Sequence, residues 1–455
     1  MYTEPEKICS THNFSKDRNM KRHVILIAAI WLLAPAVLWG AELGSDGTTI
    51  FRFEERSFPG SNKERVAPAT QFLGVDIGKL GDPNLSFHLY GWGRVDLASH
   101  STSEGSTDGI ISYAYLHYRF PEANAFVKAG RLFVYEGVAA EQLDGVSLRT
   151  DLAKGFTLAL YGGVPVRVDE NNNKGSSIFG GRVGYRLPGM LELGVSALRE
   201  GGTDTREFDT SSLTARTIKR YREMIGGDIW LSPYRTVELN GHTYYNAASE
   251  GIAEHSYLAS WRPLTSLNLF GEYNEQRFKE YFGSTNLPSL FQPARGDHYR
   301  STGIGVTYAV AKPVELTVDY KRINYQKDNH GKANRFGVEA RLSMMDKRLR
   351  SGVSYHRSDG TGDGINSYHE LRGYGMYAVS RYSASLDAIT HLYDKPINKK
   401  KSAFELVASL GLRILPALLL SGDLSYGHNP RYDSEVKGLL RLTYNFASDS
   451  KGARK

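Results

Sequence analysis

The segment VELTVDYKRINY, Val314–Tyr325, decides the fold class. Its even-numbered positions from 314 to 320 read V, L, V and Y, whereas its odd-numbered positions from 315 to 321 read E, T, D and K. A period of two predicts a β-strand with one apolar and one polar face. The strand is also about twice as long as the usual five or six residues of a soluble strand. Its length suits a bilayer-spanning strand, which needs roughly 9–11 residues.

The same alternation continues on both sides of this segment. Residues 334–344 and 402–414 alternate in the same way, and so does the final run, residues 436–446. Between Leu85 and Phe446 the pattern predicts about 20 antiparallel strands, within a range of 16 to 22. Lipid satisfies no backbone hydrogen bonds, so a spanning sheet must close and leave no free edge.

The connections between these strands alternate between short and long. Long links are rich in Gly, Asn, Asp and Lys and include residues 99–109, 168–176, 200–219, 279–297, 358–366 and 394–401. Short links lie at residues 121–124, 150–155, 187–190, 232–235, 263–266, 311–313, 345–348, 380–383 and 415–417. This parity is typical of a transmembrane β-barrel with tight periplasmic turns and larger external loops. The predicted fold is therefore an all-β, closed antiparallel transmembrane barrel.

The amino terminus predicts export. Residues 24–39 are continuously apolar, three basic residues precede them, and Gly40 and Ala41 follow. This arrangement indicates a signal peptide over residues 1–41, with Met20 as an alternative start, while a single anchoring helix is the competing interpretation. Residues 42–84 are expected to form an N-terminal extension, a plug or one extra hairpin. The barrel then occupies residues 85–446, and residues 447–455 form a polar tail.

The composition supports the same compartment. The chain has 455 residues, 47 Gly, 11% aromatic residues and a formal charge of +7. A mean hydropathy of −0.39 is too polar for a bundle of membrane helices. The single cysteine, Cys9, precedes the apolar run, so the processed chain has no disulfide and no haem attachment motif. We expect an exported protein of the outer membrane of a Gram-negative bacterium, in contact with its lipid and lipopolysaccharide.

The polar face of the strands is expected to line a water-filled lumen, because so many ionisable groups cannot be buried in a dry core. The candidate lumen residues are Arg94, Asp96, Lys128, Arg182, Glu238, His242, Glu254, Glu272, Arg300, Glu315, Asp319, Lys321, Glu339, Arg341, Glu405 and Arg413. On the apolar face, aromatic residues near strand ends are expected at the lipid–water interfaces. These are Tyr257, Trp261, Tyr320, Tyr382, Tyr444 and Phe446.

No pattern predicts catalysis, so we do not expect an enzyme. His242 is an isolated candidate base, for which a polar lumen position is the favoured interpretation. Asp359, Thr361, Asp363 and Glu370 have the spacing of a calcium loop, but strands flank them and an external loop is favoured. The basic residues form no cluster with stacking aromatics, which argues against nucleic-acid binding.

Three segments carry a family resemblance. The run Gly130-Arg131-Leu-Phe-Val-Tyr-Glu-Gly, followed by Asp144-Gly145, resembles the Gly-Arg … Asp-Gly hairpin of general porins. Residues 87–94, FHLYGWGR, resemble a porin first strand, and residues 66–75 together with these segments resemble the porin-like subunits of porin–cytochrome conduits. Phe446 resembles the aromatic end of outer-membrane barrels, which the assembly machinery uses.

Two functions follow from this resemblance. The first is a diffusion channel for small polar solutes, in which an inward-folded loop narrows the lumen. The second is a structural sheath that holds periplasmic and outer-surface multihaem cytochromes for electron transfer across the outer membrane. In the sheath, haem belongs to the cytochrome partners, and no cofactor is bound covalently by this chain.

Overall fold

The computed structural model describes residues 42–58, 63–98, 107–166, 177–201, 205–209, 214–218, 222–277, 298–325, 331–361 and 367–448. The predicted signal peptide, most of the polar tail and Asp363 of the calcium-loop candidate lie outside these residues. No helix within the described ranges is long and apolar enough to cross a membrane.

The described part of the chain contains 25 β-strands. They are β1 (Glu42–Ser57), β2 (Glu64–Val66), β3 (Pro68–Gly78), β4 (Leu85–Asp96), β5 (Thr107–Phe120), β6 (Ala125–Glu136), β7 (Ala139–Asp151), β8 (Phe156–Pro165), β9 (Ser177–Leu187), β10 (Leu191–Gly201), β11 (Thr205–Asp209), β12 (Thr214–Ile218), β13 (Arg222–Tyr234), β14 (Val237–Asn246), β15 (Gly251–Leu264), β16 (Leu267–Gln276), β17 (Tyr299–Ala311), β18 (Val314–Tyr325), β19 (Lys332–Met344), β20 (Leu349–Gly360), β21 (Tyr368–Ala378), β22 (Tyr382–Ile397), β23 (Lys400–Leu415), β24 (Leu418–His428) and β25 (Ser434–Ser448).

Twenty-two of these strands form a closed antiparallel barrel, which confirms the predicted fold. Each wall strand pairs with the next one along the chain, and β1 pairs with β25 from Leu43↔Ser448 to Ser57↔Ser434. Residues 42–84 therefore supply the extra hairpin, β1 and β3, and raise the count from about 20 to 22. The short strand β2 extends this hairpin, and β11 and β12 form a separate two-stranded sheet.

The wall has an apolar outer face. Large apolar side chains such as Leu410, Val195 and Ile304 are 69%, 65% and 63% exposed, and they occupy alternate positions along their strands. With strands about 4.8 Å apart and tilted by about 40°, 22 strands give a backbone cylinder roughly 44 Å across. A cylinder of that width has an interior far too wide for wall side chains alone to fill.

The short links lie at one end of the barrel, as the sequence predicts. At the other end, residues 394–401 differ from the prediction of a long link. Strands β22 and β23 continue to pair there as far as Ile397↔Lys400 and leave only Asn398 and Lys399 in the turn. Both turn residues have positive φ, 47° and 67°, as a tight two-residue hairpin requires. Gly137 and Val138 also form a two-residue turn, between β6 and β7.

Candidate functional site: an inner hairpin in the barrel lumen

The tip of the β6–β7 hairpin leaves the wall and lies inside the barrel. Strand β6 pairs with β5 only as far as Ala114↔Arg131, and β7 begins to pair with β8 only at Leu143↔Pro165. Between these points the two strands pair with each other alone, from Leu132↔Leu143 to Glu136↔Ala139. We call residues 132–143 the inner hairpin.

Gly130 marks the place where β6 departs from the wall. Its φ is +132°, and a Cβ there would overlap the carbonyl oxygen of Ala114 on β5. A residue with a side chain would fit neither the backbone angle nor the close strand approach. The Gly-Arg pair that the sequence singled out therefore has a structural role at the bend.

One face of the inner hairpin is buried against the barrel's inner wall. Leu132 and Leu143 are both 0% exposed, and Val134, Val138 and Ala139 are almost fully buried. The wall side chains in this cluster belong to β8, β9, β10, β13 and β15 and are Tyr161, Ile178, Leu198, Met224 and Ala253. This is the barrel's apolar core, and burying it stabilises the docked hairpin through the hydrophobic effect.

The turn of the inner hairpin is held by polar contacts. The Val138 N–H donates to Ser196 Oγ at 3.0 Å, and the Tyr244 hydroxyl donates to the Gly137 carbonyl oxygen at 2.9 Å. Gly137 has φ +59° and lies so close to Ser196 that a Cβ would overlap its side chain. The tip thus reaches β10 and β14, well around the circumference from its own strands.

Ion pairs connect the same hairpin to the wall. Arg222 on β13 contacts Glu141 of the inner hairpin and lies 3.1 Å from Glu200 on β10. Arg149 lies 3.2 Å from Glu136 near the tip. Since Arg222 and Glu200 are largely buried, these charges are paired where water is scarce.

Two side chains form hydrogen bonds with the part of β5 that has lost its strand partner β6. Beyond Tyr113 the outer part of β5 has no strand partner on the β6 side within the described residues. Gln142 Nε2 donates to the Ser112 carbonyl oxygen at 2.6 Å, and Arg131 Nη1 donates to the Ile111 carbonyl oxygen at 3.2 Å. Arg131 also forms a bidentate pair with Asp144, at 2.8 and 2.9 Å. Two carbonyl groups of β5 that the inward bend leaves without a strand partner therefore accept side-chain hydrogen bonds.

The opposite face of the inner hairpin is turned away from the wall. Tyr135 is 71% exposed, and its ring stacks on that of Phe133 with centroids 6.1 Å apart. The buried neighbours of these two residues, Leu132 and Val134, point to the inner wall, so the aromatic pair faces the open lumen. The hairpin adds a second layer of sheet about 10 Å thick on this side of the barrel.

The candidate lumen residues fall on the two faces of the wall as follows. Arg300 shares its face with Thr302 and the exposed Ile304 and Val306, and it therefore points outward. The other fifteen lie on the inward face, where strand alternation and the pairing register place them: Arg94, Asp96, Lys128, Arg182, Glu238, His242, Glu254, Glu272, Glu315, Asp319, Lys321, Glu339, Arg341, Glu405 and Arg413.

Several inward residues meet partners of opposite charge. Arg182 forms a bidentate pair with Asp228, at 3.0 and 2.5 Å, and Lys321 contacts Glu272. Arg341 pairs with Glu339 at 2.8 Å through two bonds. In these pairs charges of opposite sign lie side by side, so their fields largely cancel.

His242 contacts two other inward-facing side chains of the wall. Its Nε2 lies 3.4 Å from Glu254 Oε1, and its ring stacks on Tyr244 with centroids 4.4 Å apart. Tyr244 in turn holds the tip of the inner hairpin, so the histidine belongs to the support of that contact.

The calcium-loop residues are not brought together where the structure describes them. Glu370 faces inward, 3.0 Å from His391 Nε2 and 3.2 Å from His356 Nδ1. Asp359 shares the outward face of β20 with Val353 and Arg357, and it lies 3.6 Å from Arg357. Because these two carboxylates lie on opposite faces of the wall, they cannot ligate one ion.

The six interface aromatics all lie on the outward face. Trp261, Tyr382 and Phe446 are 51%, 58% and 57% exposed near the short-turn end. Tyr320 is exposed farther along β18, while the hydroxyl of Tyr257 bonds Thr243 and that of Tyr444 accepts from Gln71.

The sequence did not single out the wall residues that receive the inner hairpin. Ser196, Arg222 and Tyr244 look like ordinary inward positions of alternating strands. Their partners are about 60 to 110 residues earlier in the chain, and no local pattern encodes such a contact. The local signals were the glycines at 130 and 137, one within β6 and one just after it, and the continuous apolar run Leu132–Tyr135 between them.

Comparisons with known proteins bear on the fold. The ferric enterobactin receptor PfeA of Pseudomonas aeruginosa is 11% identical, with a TM-score of 0.54 over 90% of this chain and 81% of that one. The siderophore receptor PirA of Acinetobacter baumannii is 10% identical, with a TM-score of 0.55 over 88% and 80%. A. baumannii OccAB4 is 11% identical over 90% of this chain and 98% of that one, with a TM-score of 0.44.

No family model and no curated protein matches the sequence. At such low identity the two receptors establish a shared fold and nothing finer. The chain shares with these receptors the fold of a closed antiparallel β-barrel.

Proposed function

We propose that the protein is an outer-membrane channel through which small polar solutes diffuse, with the inner hairpin as its constriction. The observation that carries the proposal is the docking of the inner hairpin. Leu132 and Leu143 have no exposed surface, and the aromatic face of Phe133 and Tyr135 is turned to the lumen. A built-in layer of this kind narrows a passage without closing a cylinder roughly 44 Å across.

The membrane location is supported by the outer face of the barrel. Exposed apolar side chains cover it on strand after strand, and a patch of that extent is unstable in water. The exported amino terminus predicted from residues 1–41 is consistent with this location. The paired charges of the inner wall support passage of polar solutes with weak preference for either sign.

The sheath for multihaem cytochromes stays a prediction from sequence resemblance. The inner hairpin occupies lumen that a cytochrome would fill, and this favours the channel.

The channel proposal predicts ohmic conductance from the purified protein alone. In planar bilayers, each insertion is expected to raise the current by a fixed step that scales with salt concentration. Insertion without current would contradict the proposal. Co-purification of red, haem-bearing partners with a non-conducting barrel would favour the sheath.

Adjacent cysteines test the orientation of the inner hairpin. The processed chain is expected to lack cysteine, so Tyr135→Cys and Val134→Cys each place one thiol in it. Tyr135 is 71% exposed and Val134 is 3% exposed. A charged, water-soluble thiosulfonate reagent should therefore modify Tyr135→Cys at once and shift the conductance step, whereas Val134→Cys should stay unmodified. Equal reactivity of the two thiols would exclude the docked hairpin.

A further inference from the structure

Three arginines lie together on the outward face of β16, β17 and β18. They are Arg277, Arg300 and Arg322, and we call them the outer-rim arginine cluster. Arg300 lies in the row Glu275↔Arg300↔Asn324, and Arg322 is in the next row, Tyr273↔Thr302↔Arg322. Arg277 follows Glu275 by two residues and so shares its face.

The cluster lies directly beyond the apolar surface. On β17 the outward positions below Arg300 are Thr302, Ile304, Val306, Tyr308 and Val310. Arg300 is eleven residues from the short-turn end of its strand at Ala311. At about 3.3 Å per residue and a tilt near 40°, this separation is about 28 Å along the barrel axis. The apolar band of such barrels is about 25 Å tall, so the cluster lies at the level of the outer headgroups.

The charges of the cluster are only partly neutralised by the protein. Arg277 and Arg300 both contact Glu275, at 3.3 and 3.2 Å, and His298 Nε2 lies 2.7 Å from the same carboxylate. Glu275 is 5% exposed, whereas the side chains of Arg277 and Arg300 are 39% and 43% exposed. The carboxylate is covered by the guanidinium groups, and their outer faces remain open.

Two other outward arginines at this end of the barrel are each neutralised by a carboxylate of their own. Arg199 lies 3.2 Å from Glu223, and Arg357 forms a bidentate pair with Asp394 at 2.7 and 2.6 Å. Each of these guanidinium groups has its own carboxylate. Among the described residues around Glu275, two contacting arginines and the exposed Arg322 face one carboxylate, so the described part of this surface carries a net positive charge.

We propose that the outer-rim arginine cluster binds the phosphate groups of phosphorylated lipids in the outer leaflet. Planar guanidinium groups match phosphate oxygens in bidentate geometry, and basic side chains at headgroup depth attract anionic lipid. Tyr273 lies in the row of Arg322, and Tyr320 lies one row closer to the apolar surface; both suit the lipid–water interface. The inference rests on the outer-membrane location in the proposed function and goes beyond the channel itself.

The test compares arginine variants in lipid retention. The purified protein is mixed in detergent with bisphosphorylated lipid A, and the lipid retained per barrel is measured by native mass spectrometry. Arg300→Gln/Arg322→Gln is expected to retain about tenfold less than the parent, because charge-assisted hydrogen bonds are among the strongest polar contacts. Arg199→Gln/Arg357→Gln removes the same charge elsewhere on the rim and should retain as much as the parent.

Further measurements distinguish loss of lipid binding from disturbed folding, lipid phosphate from free phosphate, and lipid binding from channel function. Arg322→Gln leaves both contacts to Glu275 in place, so its loss of lipid does not depend on a disturbed Glu275. Dephosphorylated lipid A should be retained no better by the parent than by the variant. The proposal is overturned if the parent and the variant retain equal amounts of lipid A. It is also overturned if inorganic phosphate displaces bound lipid A from the parent as effectively as added lipid A does. Conductance measured on the same preparations shows separately whether the barrel is a channel.

Discussion

Gly226→Val is expected to open the lumen and raise the single-channel conductance by roughly half. Gly226 on β13 points inward beneath the tip of the inner hairpin, and a Cβ there would overlap a methyl group of Val138. It would also lie 2.8 Å from the Tyr244 ring. The inner hairpin cannot dock over this side chain, so we expect it to move away from the inner wall.

The size of the effect follows from the area that the hairpin covers. It extends around the wall from β8 to β15, about six strands or 29 Å, with a thickness of about 10 Å. This is about one third of a lumen roughly 34 Å wide inside its wall side chains. Current through the wider opening rises in proportion.

Gly227→Val is the matched control. Gly227 is the next residue on the same strand and points to the opposite face. A Cβ there would have one neighbour within 4 Å, the Gly194 carbonyl oxygen at 3.9 Å. This variant should conduct like the parent. If Gly226→Val also conducts like the parent while folding normally, the inner hairpin does not limit the current.

Deleting residues 42–57 is expected to abolish the folded barrel. Strand β1 pairs with β25 on one side and with β3 on the other, and it closes the antiparallel cylinder. Without β1, the strands to be joined, β3 and β25, run in the same direction, and an antiparallel closure is impossible. Two free edges in lipid would each expose a row of unpaired backbone groups. Heat-modifiable migration in gels, a sign of a closed barrel, should be lost.

Deleting residues 42–78 tests the same argument by restoring parity. This chain loses β1, β2 and β3 together, and the remaining 20 wall strands end with β4 and β25, which run antiparallel. It should recover a heat-modifiable form that the shorter deletion lacks. A folded, closed barrel from the 42–57 deletion alone would show that β1 is dispensable for closure.

The features of the fold that repeat along the chain could be predicted from the sequence. Alternation with a period of two and short links at one end together imply an antiparallel barrel, because both follow from each strand's contact with lipid and with its immediate neighbours. Residues 42–84 are harder to assign, since Gly44, Gly47 and Gly74 weaken the alternation in β1 and β3. Pairing of β1 with β25, some 400 residues later, makes this hairpin part of the wall.

The inner hairpin shows where prediction from sequence ends. Its segment carries the Gly-Arg and Asp-Gly pairs and a continuous apolar run, Leu132–Tyr135, but none of these features says where the tip docks. Docking depends on Ser196, Arg222 and Tyr244, which lie on strands far along the chain. The lumen position predicted for Arg300 is wrong, because a charged side chain need not face inward and pairing with Glu275 and Asn324 fixes its face. At the rim, beyond the lipid tails, an outward arginine carries no penalty.

The departure of β6 and β7 also changes the perimeter of the cylinder. All 22 strands meet the rim with the short turns, but two of them turn aside before the opposite rim, which is bounded by 20. At about 4.8 Å per strand and a tilt near 40°, the hydrogen-bonded part of the circumference at the external rim is shorter by about 12 Å. On that side the hydrogen-bonded ladder is interrupted between β5 and β8, and the contacts of Arg131 and Gln142 with β5 tie the base of the inner hairpin to one margin of the interruption.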